Sequence, residues 1–441
     1  MSGPVIRIID VDVIEQPQLI GIHLDAPGPG DVSNTYSFEL EGWALDPRNP
    51  LERIEVALGS RGTILQVPVD RERPDVAERF PEVPHALACG FRAQIGALHN
   101  RPLFEVGIRA CLSDGVRISI GGIRGRRAEL PSESDAEIQP LLLNTLGRSG
   151  STWLAGLLGG HPEIIAYEPL GFETRVATYW ISVFQELAQP SSYFRQVVAT
   201  DLENDRRWWL ADGLVRRPTI GDSKLEKWLG ATAVESLGAM CRNRIEQFFA
   251  NVAATRGKEH ARYWLEKFLL EPVILDLLDE MYSEAREVIL VRDFRDMVSS
   301  ILAFNAKRGY AAFGRESVPS DAEFVKSTVR KQALALLRRW EDRVGRAHLV
   351  KYEDLVADPL KNLEAVCRYI GVDSSPATIR SMVEGAGQER EMDHHRTAID
   401  ANASIGRWRD DLPPDLAELC NEVLGPMLHR FGYDVPDERA A

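Results

Sequence analysis

Apolar and polar residues alternate in several segments of the first 130 residues, a pattern typical of β-strands with one buried face. These segments are 5–16, 36–47, 53–69, 89–98 and 103–123. Asp114-Gly115 and the stretch 59–62 lie between apolar runs, and turn-forming residues in such positions predict β-hairpins. We therefore expect an all-β, immunoglobulin-like sandwich domain over residues 1–130, with Trp43 and Phe91 in its core.

The pattern changes after the polar, turn-forming stretch 131–138, which we interpret as a linker. A short apolar run at 141–146 is typical of a buried parallel strand, and the apolar spacing from Trp153 onwards predicts a helix. A second apolar run ends at Arg292 and is followed by a predicted helix that begins near Phe294. Both places combine a buried strand with a sharp turn into a helix.

Residues 171–262 carry the period of amphipathic helices. An insertion at this place in an α/β domain tends to cover the carboxyl ends of the strands, where ligands bind. We therefore predict that 171–262 forms a helical lid over an acceptor. Trp208-Trp209 lies within it, and we interpret this pair as packed core rather than as a surface for stacking on a sugar.

Composition narrows the class of protein. The chain has 441 residues, of which 44% are hydrophobic and 27% charged, and this is typical of a soluble protein with two or three domains. No apolar run approaches the roughly 18 residues of a membrane span, and the N-terminus lacks the features of a secretion signal, so we predict a cytoplasmic location. The net charge of −14 argues against a nucleic-acid partner. The five scattered cysteines indicate neither a disulfide framework nor a zinc site, and the oligomeric state stays open.

The turn after the first strand has the chemistry of an oxyanion site. Residues 147–152 read Gly-Arg-Ser-Gly-Ser-Thr, so glycines allow backbone N–H groups to converge while hydroxyls and a guanidinium supply further donors. A nucleotide triphosphatase loop, G-x-x-x-x-G-K-[ST], would need glycine at 145 and lysine at 151. Thr145 and Ser151 occupy these positions, and the cation is Arg148 instead.

Residues 148–152 resemble the 5′-phosphosulfate loop of sulfotransferases that use 3′-phosphoadenosine 5′-phosphosulfate (PAPS). Arg292 and Ser300, eight residues apart, resemble the family's 3′-phosphate motif, and Gly406-Arg407 resembles its late G-R-W loop. Arginine suits phosphate because its planar donors bind in two places. The resemblance implies that PAPS is bound by the following residues: Arg148, Ser149, Gly150, Ser151, Thr152, Trp153, Arg292, Ser300, Gly406 and Arg407.

The same resemblance implies three catalytic residues. Arg148 and Lys267 are the cations that stabilise the transferring group without a metal ion. Lys267 lies in 264–267, which resembles W-x-E-K-[TS]-P, although Phe268 replaces the hydroxyl residue and proline comes only at 272. Its alternative is a solvated lysine at a strand end. The segment 350–355 resembles the family's y-E-d-L stretch and is interpreted as scaffold.

The third catalytic residue is Glu168, twenty residues beyond Arg148 and two residues after the apolar run 164–166. Carbohydrate sulfotransferases have a glutamate at about this place that takes the proton of the acceptor. His161 is a competing base but follows the helix directly and is better interpreted as a turn residue; His394 and His395 are further alternatives. A structural ion pair with an arginine is the other interpretation of Glu168.

Taken together, residues 139–441 are identified as a PAPS-dependent sulfotransferase domain of the bacterial, carbohydrate type, with the motifs covering 139–432. The resemblance implies a three-layer α/β/α fold with a P-loop-type parallel sheet, PAPS as co-substrate without a metal, and a hydroxyl acceptor on a glycan or glycolipid. The alternatives are a P-loop kinase or ATPase, and a catalytically inactive nucleotide- or glycan-binding protein.

Overall fold

The computed structural model describes residues 3–58, 62–132, 136, 138–188, 224, 228–386 and 401–435. The chain divides into two compact units, the first formed by Met1–Ser132 with Tyr179–Asn243 and the second by Glu133–Thr178 with Arg244–Ala441. The segment 171–262, which was predicted to be a helical lid within the second domain, is divided between the two units. Trp208-Trp209, predicted to be core within that segment, lies outside the described residues.

The described residues of the first unit form nine strands in two antiparallel sheets. They are β1 (Ile6–Val13), β2 (Gly21–Ala26), β3 (Val32–Ser33), β4 (Ser37–Leu45), β5 (Leu51–Leu58), β6 (Gly62–Pro68), β7 (Gly90–Gly96), β8 (Leu103–Leu112) and β9 (Arg117–Arg127). One sheet has the order β3-β1-β9-β8-β5-β6 and the other β2-β4-β7. The hairpins predicted between β5 and β6 and between β8 and β9 are confirmed by antiparallel pairing.

The core of this unit contains the aromatic residues that the sequence placed there. Phe91 and Trp43 are buried, and the ring of Phe38 on β4 stacks on that of Phe104 on β8 with 5.9 Å between centroids. The short helix Pro74–Arg79 and strands β2 and β3 were not predicted. Strand β2 has no fully buried position, so it lacks the alternation by which the other strands are recognised.

The second unit is built on a five-stranded parallel sheet, as predicted. Its strands are β10 (Gln139–Thr145), β11 (Ile164–Ala166), β12 (Tyr263–Phe268), β13 (Arg286–Val291) and β14 (Ala347–Lys351), in the order β11-β12-β10-β13-β14. All four neighbouring pairs are parallel. Strand β10 is central and fully buried, which explains its continuous apolar run.

Helices cover both faces of this sheet. Leu143 and Leu290 belong to a core shared with Ser151–Gly159, Pro359–Ile370 and Pro376–Ala386. Ile289 and Val291, the alternate residues of β13, belong to a second core shared with the helices Phe294–Arg308, Arg330–Asp342 and Pro414–Arg430. The unit therefore has three layers, helix on sheet on helix.

The described residues contain further helices, two of which, Val176–Ala188 and Ala233–Arg256, include residues of both units. The further helices are Pro169–Phe172, Val176–Ala188, Ala233–Arg256, Pro272–Met281, Asp321–Glu323, Tyr352–Ala357 and Trp408–Asp411, with π-helical turns at Trp228–Thr232 and Phe324–Val329. None of the helices in the described part of the chain combines the length and the apolar character that a membrane span needs.

The strand order places three predicted motifs at one edge of the sheet. Strand β10 lies between β12 and β13, and Leu143 pairs with Lys267 while Thr145 pairs with Leu290. The carboxyl ends of these parallel strands therefore meet. In an open α/β sheet, ligands bind at such an edge, where the direction of strand order changes.

Candidate active site

The loop after β10 has a backbone that only glycine suits at two positions. Gly150 has φ of 87° and precedes the helix Ser151–Gly159, and a Cβ atom there would lie 2.5 Å from the ring of Tyr352. A Cβ atom on Gly147 would lie 2.7 Å from the ring of Phe313. Arg148 also has a positive φ, 66°. This close packing holds the first N–H groups of the helix at the carboxyl edge of the sheet, where they favour an anion.

Four arginines converge beside this loop. The pKa of Arg148 is lowered to about 10, first by burial and then by the positive charges of Arg292, Arg308 and Arg407. Like charges that are partly buried together destabilise one another unless an anion neutralises them. Although the chain as a whole has a net charge of −14, Arg148 is surrounded by positively charged side chains.

Arg292, at the end of β13, is held by the loop but keeps donor capacity. Its NH1 group donates to the carbonyl oxygen of Arg148 at 3.0 Å, and its NH2 group donates to that of Ser404 at 2.5 Å. The guanidinium lies 4.7 Å from the ring centroid of Tyr352. Its Nε atom is buried and has no hydrogen-bond partner among the described residues. An orphaned buried donor among four arginines fits a phosphate or sulfate oxygen.

The helix Phe294–Arg308 supplies two further residues of this cluster. Arg148 Nε donates to Ser300 Oγ at 3.3 Å, so the predicted serine does meet the predicted loop. The guanidinium groups of Arg148 and Arg308 lie 4.4 and 4.3 Å from the centroid of Phe304. Arg308 was missed by the sequence analysis, and its signal was its spacing, since it lies about two helical turns after Ser300.

The late glycine-arginine loop is tied to the same helix. Asp296 accepts hydrogen bonds from Gly406 N at 2.7 Å and Trp408 N at 3.0 Å, and burial raises the pKa of its carboxyl group. Arg407 Nε donates to Asp411 Oδ2 at 2.5 Å. Asp296 thus places Arg407 in the arginine cluster, a role that the sequence did not reveal. His394 and His395, considered as bases, lie outside the described residues.

Lys267, at the end of β12, contacts the start of the loop helix. Its Nζ atom lies 3.1 Å from Thr152 Oγ1, 3.0 Å from the carbonyl oxygen of Gly171 and 2.7 Å from Glu173 Oε1. The side chain is only 2% exposed, and burial lowers the pKa of its ammonium group. The alternative of a solvated lysine is therefore wrong.

The remaining predicted residues lie just before the helix Ser151–Gly159 or in its first turn. Ser149 and Ser151 are buried, and Ser149 Oγ lies 4.0 Å from Met297 Sδ. The ring of Trp153 meets that of Tyr352 edge-on, with 6.3 Å between centroids. The structure thus brings the predicted phosphate-binding residues together at one edge of the sheet.

The segment 350–355 stabilises the turn after β13 through hydrogen bonds to Glu353. Glu353 accepts hydrogen bonds from Asp293 N at 2.9 Å and from the Tyr433 hydroxyl at 2.7 Å. Asp293 in turn accepts from Arg295 N, which begins the following helix. The segment therefore fixes the turn that carries Arg292.

Glu168 lies two residues after the end of β11, and its side chain is 47% exposed. Its ion-pair partner is Arg256, with Arg256 NH2 3.0 Å from Glu168 Oε2, and Arg256 belongs to none of the predicted motifs. The structure therefore shows the ion pair that was the alternative interpretation of Glu168, on a side chain that is half exposed.

His161 has both ring nitrogens engaged and is fully buried. Nδ1 accepts a hydrogen bond from Glu163 N at 3.0 Å, so Nε2 carries the proton and donates to the carbonyl oxygen of Asp373 at 2.8 Å. The ring bridges two parts of the backbone and has no lone pair left for catalysis. This agrees with its interpretation as a turn residue.

Comparison with known proteins defines the class to which this fold and site belong. The model of the Sulfotransferase family matches residues 140–376, more than half of the chain. The chain therefore belongs to the sulfotransferase family.

Individual relatives are distant. Carbohydrate sulfotransferase 3 of Mus musculus is 25% identical over 215 residues, covering 46% of this chain and 45% of that protein. Carbohydrate sulfotransferase 6 of Homo sapiens is 25% identical over 343 residues, covering 69% of this chain and 82% of that protein. Among solved structures, the sulfotransferase domain from the curacin biosynthetic pathway has a TM-score of 0.39 at 15% identity, covering 68% of this chain and 99% of that one. The chain thus spans about half the length of the first of these relatives.

Proposed function

We propose that the protein transfers the sulfuryl group of PAPS to a hydroxyl group of a carbohydrate acceptor and releases adenosine 3′,5′-bisphosphate. The observation that carries this proposal is the cluster of Arg148, Arg292, Arg308 and Arg407, which repel one another at the carboxyl edge of the sheet. Membership of the sulfotransferase family supports the reaction class.

The residues present fit a bisphosphorylated nucleotide. Arg292, with its orphaned Nε, and the nearby Ser300 and Arg407 would hold the 3′-phosphate. Ser149, Gly150, Ser151 and Thr152, together with the amides that begin their helix, would hold the 5′ end, and Gly406 and Trp153 would complete the pocket. When bound, PAPS supplies an activated sulfuryl group that needs only a nucleophile and charge stabilisation.

Three side chains would act on the reacting atoms. We assign Glu168 to the removal of the acceptor proton, because its carboxylate is half exposed at the end of β11. Lys267 and Arg148 would stabilise the negative charge that develops on the transferred group and on the leaving phosphate. Lysine and arginine supply this charge without a metal ion, and independence of metal stays a prediction.

A carbohydrate acceptor is proposed because two relatives are named carbohydrate sulfotransferases. A glycan or glycolipid as the acceptor and a cytoplasmic location of the protein stay predictions. We infer further that the two antiparallel sheets of the first unit form a sandwich, since Phe38 and Phe104 stack between them. Its immunoglobulin-like topology is likewise a proposal.

Binding of the product tests the proposal without an acceptor. Adenosine 3′,5′-bisphosphate should raise the melting temperature in the absence of magnesium, and more than ATP does, because ATP lacks the 3′-phosphate. Arg292→Lys should lose most of this effect, since lysine cannot replace the guanidinium donors, whereas Arg380→Lys, on the exposed surface, should retain it. Equal or greater stabilisation by magnesium-ATP would contradict the proposal in favour of a kinase.

A further inference from the structure

Two consecutive residues of β12 hold one connection at two places. Lys267 contacts Gly171 and Glu173 near its middle. Glu266 accepts hydrogen bonds at its end, from Ala177 N at 2.9 Å and Thr178 N at 3.1 Å. The connection 168–178 begins at Glu168, whose carbonyl oxygen accepts from Phe172 N at 3.0 Å. It therefore links the proposed base to the proposed catalytic lysine.

This connection has a strained backbone. Leu170, Phe172 and Arg175 have φ of 56°, 65° and 51°, a region that side-chain-bearing residues rarely adopt. Such conformations persist only where the surrounding contacts over-determine them, and they occur preferentially at functional sites. Leu170 is 79% exposed, so apolar burial does not hold it. Phe172 is buried in the core, Lys267 contacts Gly171 and Glu173 between the strained residues, and Glu266 holds the amides that lie beyond Arg175.

Glu266 acts through hydrogen bonds in a buried position. Its side chain is almost fully buried, and burial raises the pKa of its carboxyl group to about 7, with the charge of Glu271 adding to the effect. The hydroxyl of Thr178 lies 3.3 Å from Glu266 Oε1 and 3.2 Å from Glu271 Oε2. One hydroxyl carries one proton, so both contacts are satisfied when one of the two carboxyl groups is protonated.

The charged groups around this position balance one another. Glu271 pairs with Arg175 at 3.2 Å, and Lys267 pairs with Glu173 at 2.7 Å. Glu271 and Glu173 are therefore each paired with a cation. Glu266 contacts the backbone instead, so its loss releases the end of the connection without removing an ion pair.

We propose that Glu266 is a positioning residue, which holds the connection 168–178 so that Lys267 and Glu168 keep their relative placement. Glu266 touches neither of the two side chains, and it acts by fixing the amides of Ala177 and Thr178. The importance of this placement for transfer rests on the proposed function, whereas the restraint itself does not.

The test compares Glu266→Ala and Glu266→Gln with Glu271→Gln as a matched control. Glu271 contacts the same hydroxyl and the same connection but neither amide. Two readouts need no substrate: acetylation of Lys267, followed by mass spectrometry, and hydrogen exchange in the peptide 173–180. In Glu266→Ala both rates should rise about tenfold or more, because the protecting contacts are lost. The control should stay within about twofold of the wild type, on the same argument.

Kinetics separate positioning from stability. Affinity for adenosine 3′,5′-bisphosphate should be retained in Glu266→Ala, while kcat falls about a hundredfold, the usual scale for a misplaced catalytic group. Glu266→Gln keeps one acceptor oxygen, so its kcat, its acetylation rate and its exchange rate should lie between those of the wild type and Glu266→Ala. If Glu266→Ala does not fold, the comparison with the wild type is made with Glu266→Gln. Unchanged acetylation and exchange in the Glu266 variants would overturn the proposal. If the wild type shows no transfer activity but Glu266→Ala still raises the acetylation rate of Lys267, only the proposed function is refuted.

Discussion

Lys267 Nζ lies 3.1 Å from Thr152 Oγ1, although 115 residues separate them in the chain. The contact joins the end of β12 to the first turn of the helix after β10, because these strands are neighbours in the sheet. It places a buried cation beside the loop where the four arginines converge. The assembly of the site thus depends on sheet topology.

Removal of the Lys267 charge should affect the chemical step. Lys267→Met should lower kcat about a hundredfold to a thousandfold, because one stabilising donor is lost from the transition state. Affinity for adenosine 3′,5′-bisphosphate, measured by calorimetry, should change little. Lys331→Met, at an exposed position, is the control and should behave as the wild type. A large loss of bisphosphate affinity with unchanged kcat would contradict this role.

The Lys267 ammonium also predicts a pH dependence. Burial lowers its pKa below the ordinary 10.5, so the required charged form is lost at lower pH than in a free lysine. Transfer should therefore decline on the alkaline side as the pH rises through this lowered pKa. Lys267→Arg stays protonated and should remove the decline from the pH profile. An identical alkaline limb in both proteins would assign it to another group.

Glu168→Gln should separate proton removal from binding. The amide keeps the shape of the side chain but cannot accept the acceptor proton, so transfer should fall about a hundredfold or more. Bisphosphate affinity and melting temperature should be retained, because Glu168 is half exposed and its partner Arg256 lies outside the arginine cluster.

His161→Ala provides the comparison for this assignment. Its ring bridges Glu163 N and the carbonyl oxygen of Asp373, so its loss should lower the melting temperature. Transfer that survives in Glu168→Gln but vanishes in a folded His161→Ala protein would show that the base is wrongly assigned.

The raised pKa of the Glu266 carboxyl group predicts that the stability of the protein depends on pH. This pKa is raised from 4.5 to about 7 in the folded protein, so the folded state binds a proton more tightly than the unfolded state. This contribution is fully present below pH 4.5 and is lost as the pH rises through 7. Over this range the free energy of unfolding should fall by up to about 3 kcal/mol more in the wild type than in Glu266→Gln. Parallel urea-unfolding curves in the two proteins at all pH values would contradict this.

The strand-to-helix turns were predictable from sequence because their signals are local. The apolar run before Gly147 and the run before Arg292 each correspond to a buried parallel strand, and the second helix begins at Phe294 as predicted. Arg292 and Ser300 were placed in one site by their resemblance to the family's 3′-phosphate motif, and each contacts Arg148 in the structure.

The residues that sequence missed act through contacts formed only in the folded chain. Asp296 holds Gly406 N from 110 residues away, and Glu266 holds Thr178 N from 88 residues away. An acidic residue that accepts from distant amides looks like any other charged position in a linear pattern. The grouping of Tyr179–Asn243 with the N-terminal strands was not predicted for the same reason. Hydrophobic periodicity indicates where helices form but not which other elements they pack against.

The most direct test of the account is transfer itself. The protein is incubated with ³⁵S-labelled PAPS and a panel of carbohydrate acceptors in the presence of a metal chelator, and labelled carbohydrate is measured together with released adenosine 3′,5′-bisphosphate. We expect equal amounts of both products in the wild type, and loss of both in Arg148→Ala and Lys267→Met. Absence of labelled carbohydrate across the panel, together with magnesium-dependent transfer of label from γ-³²P-ATP, would contradict it.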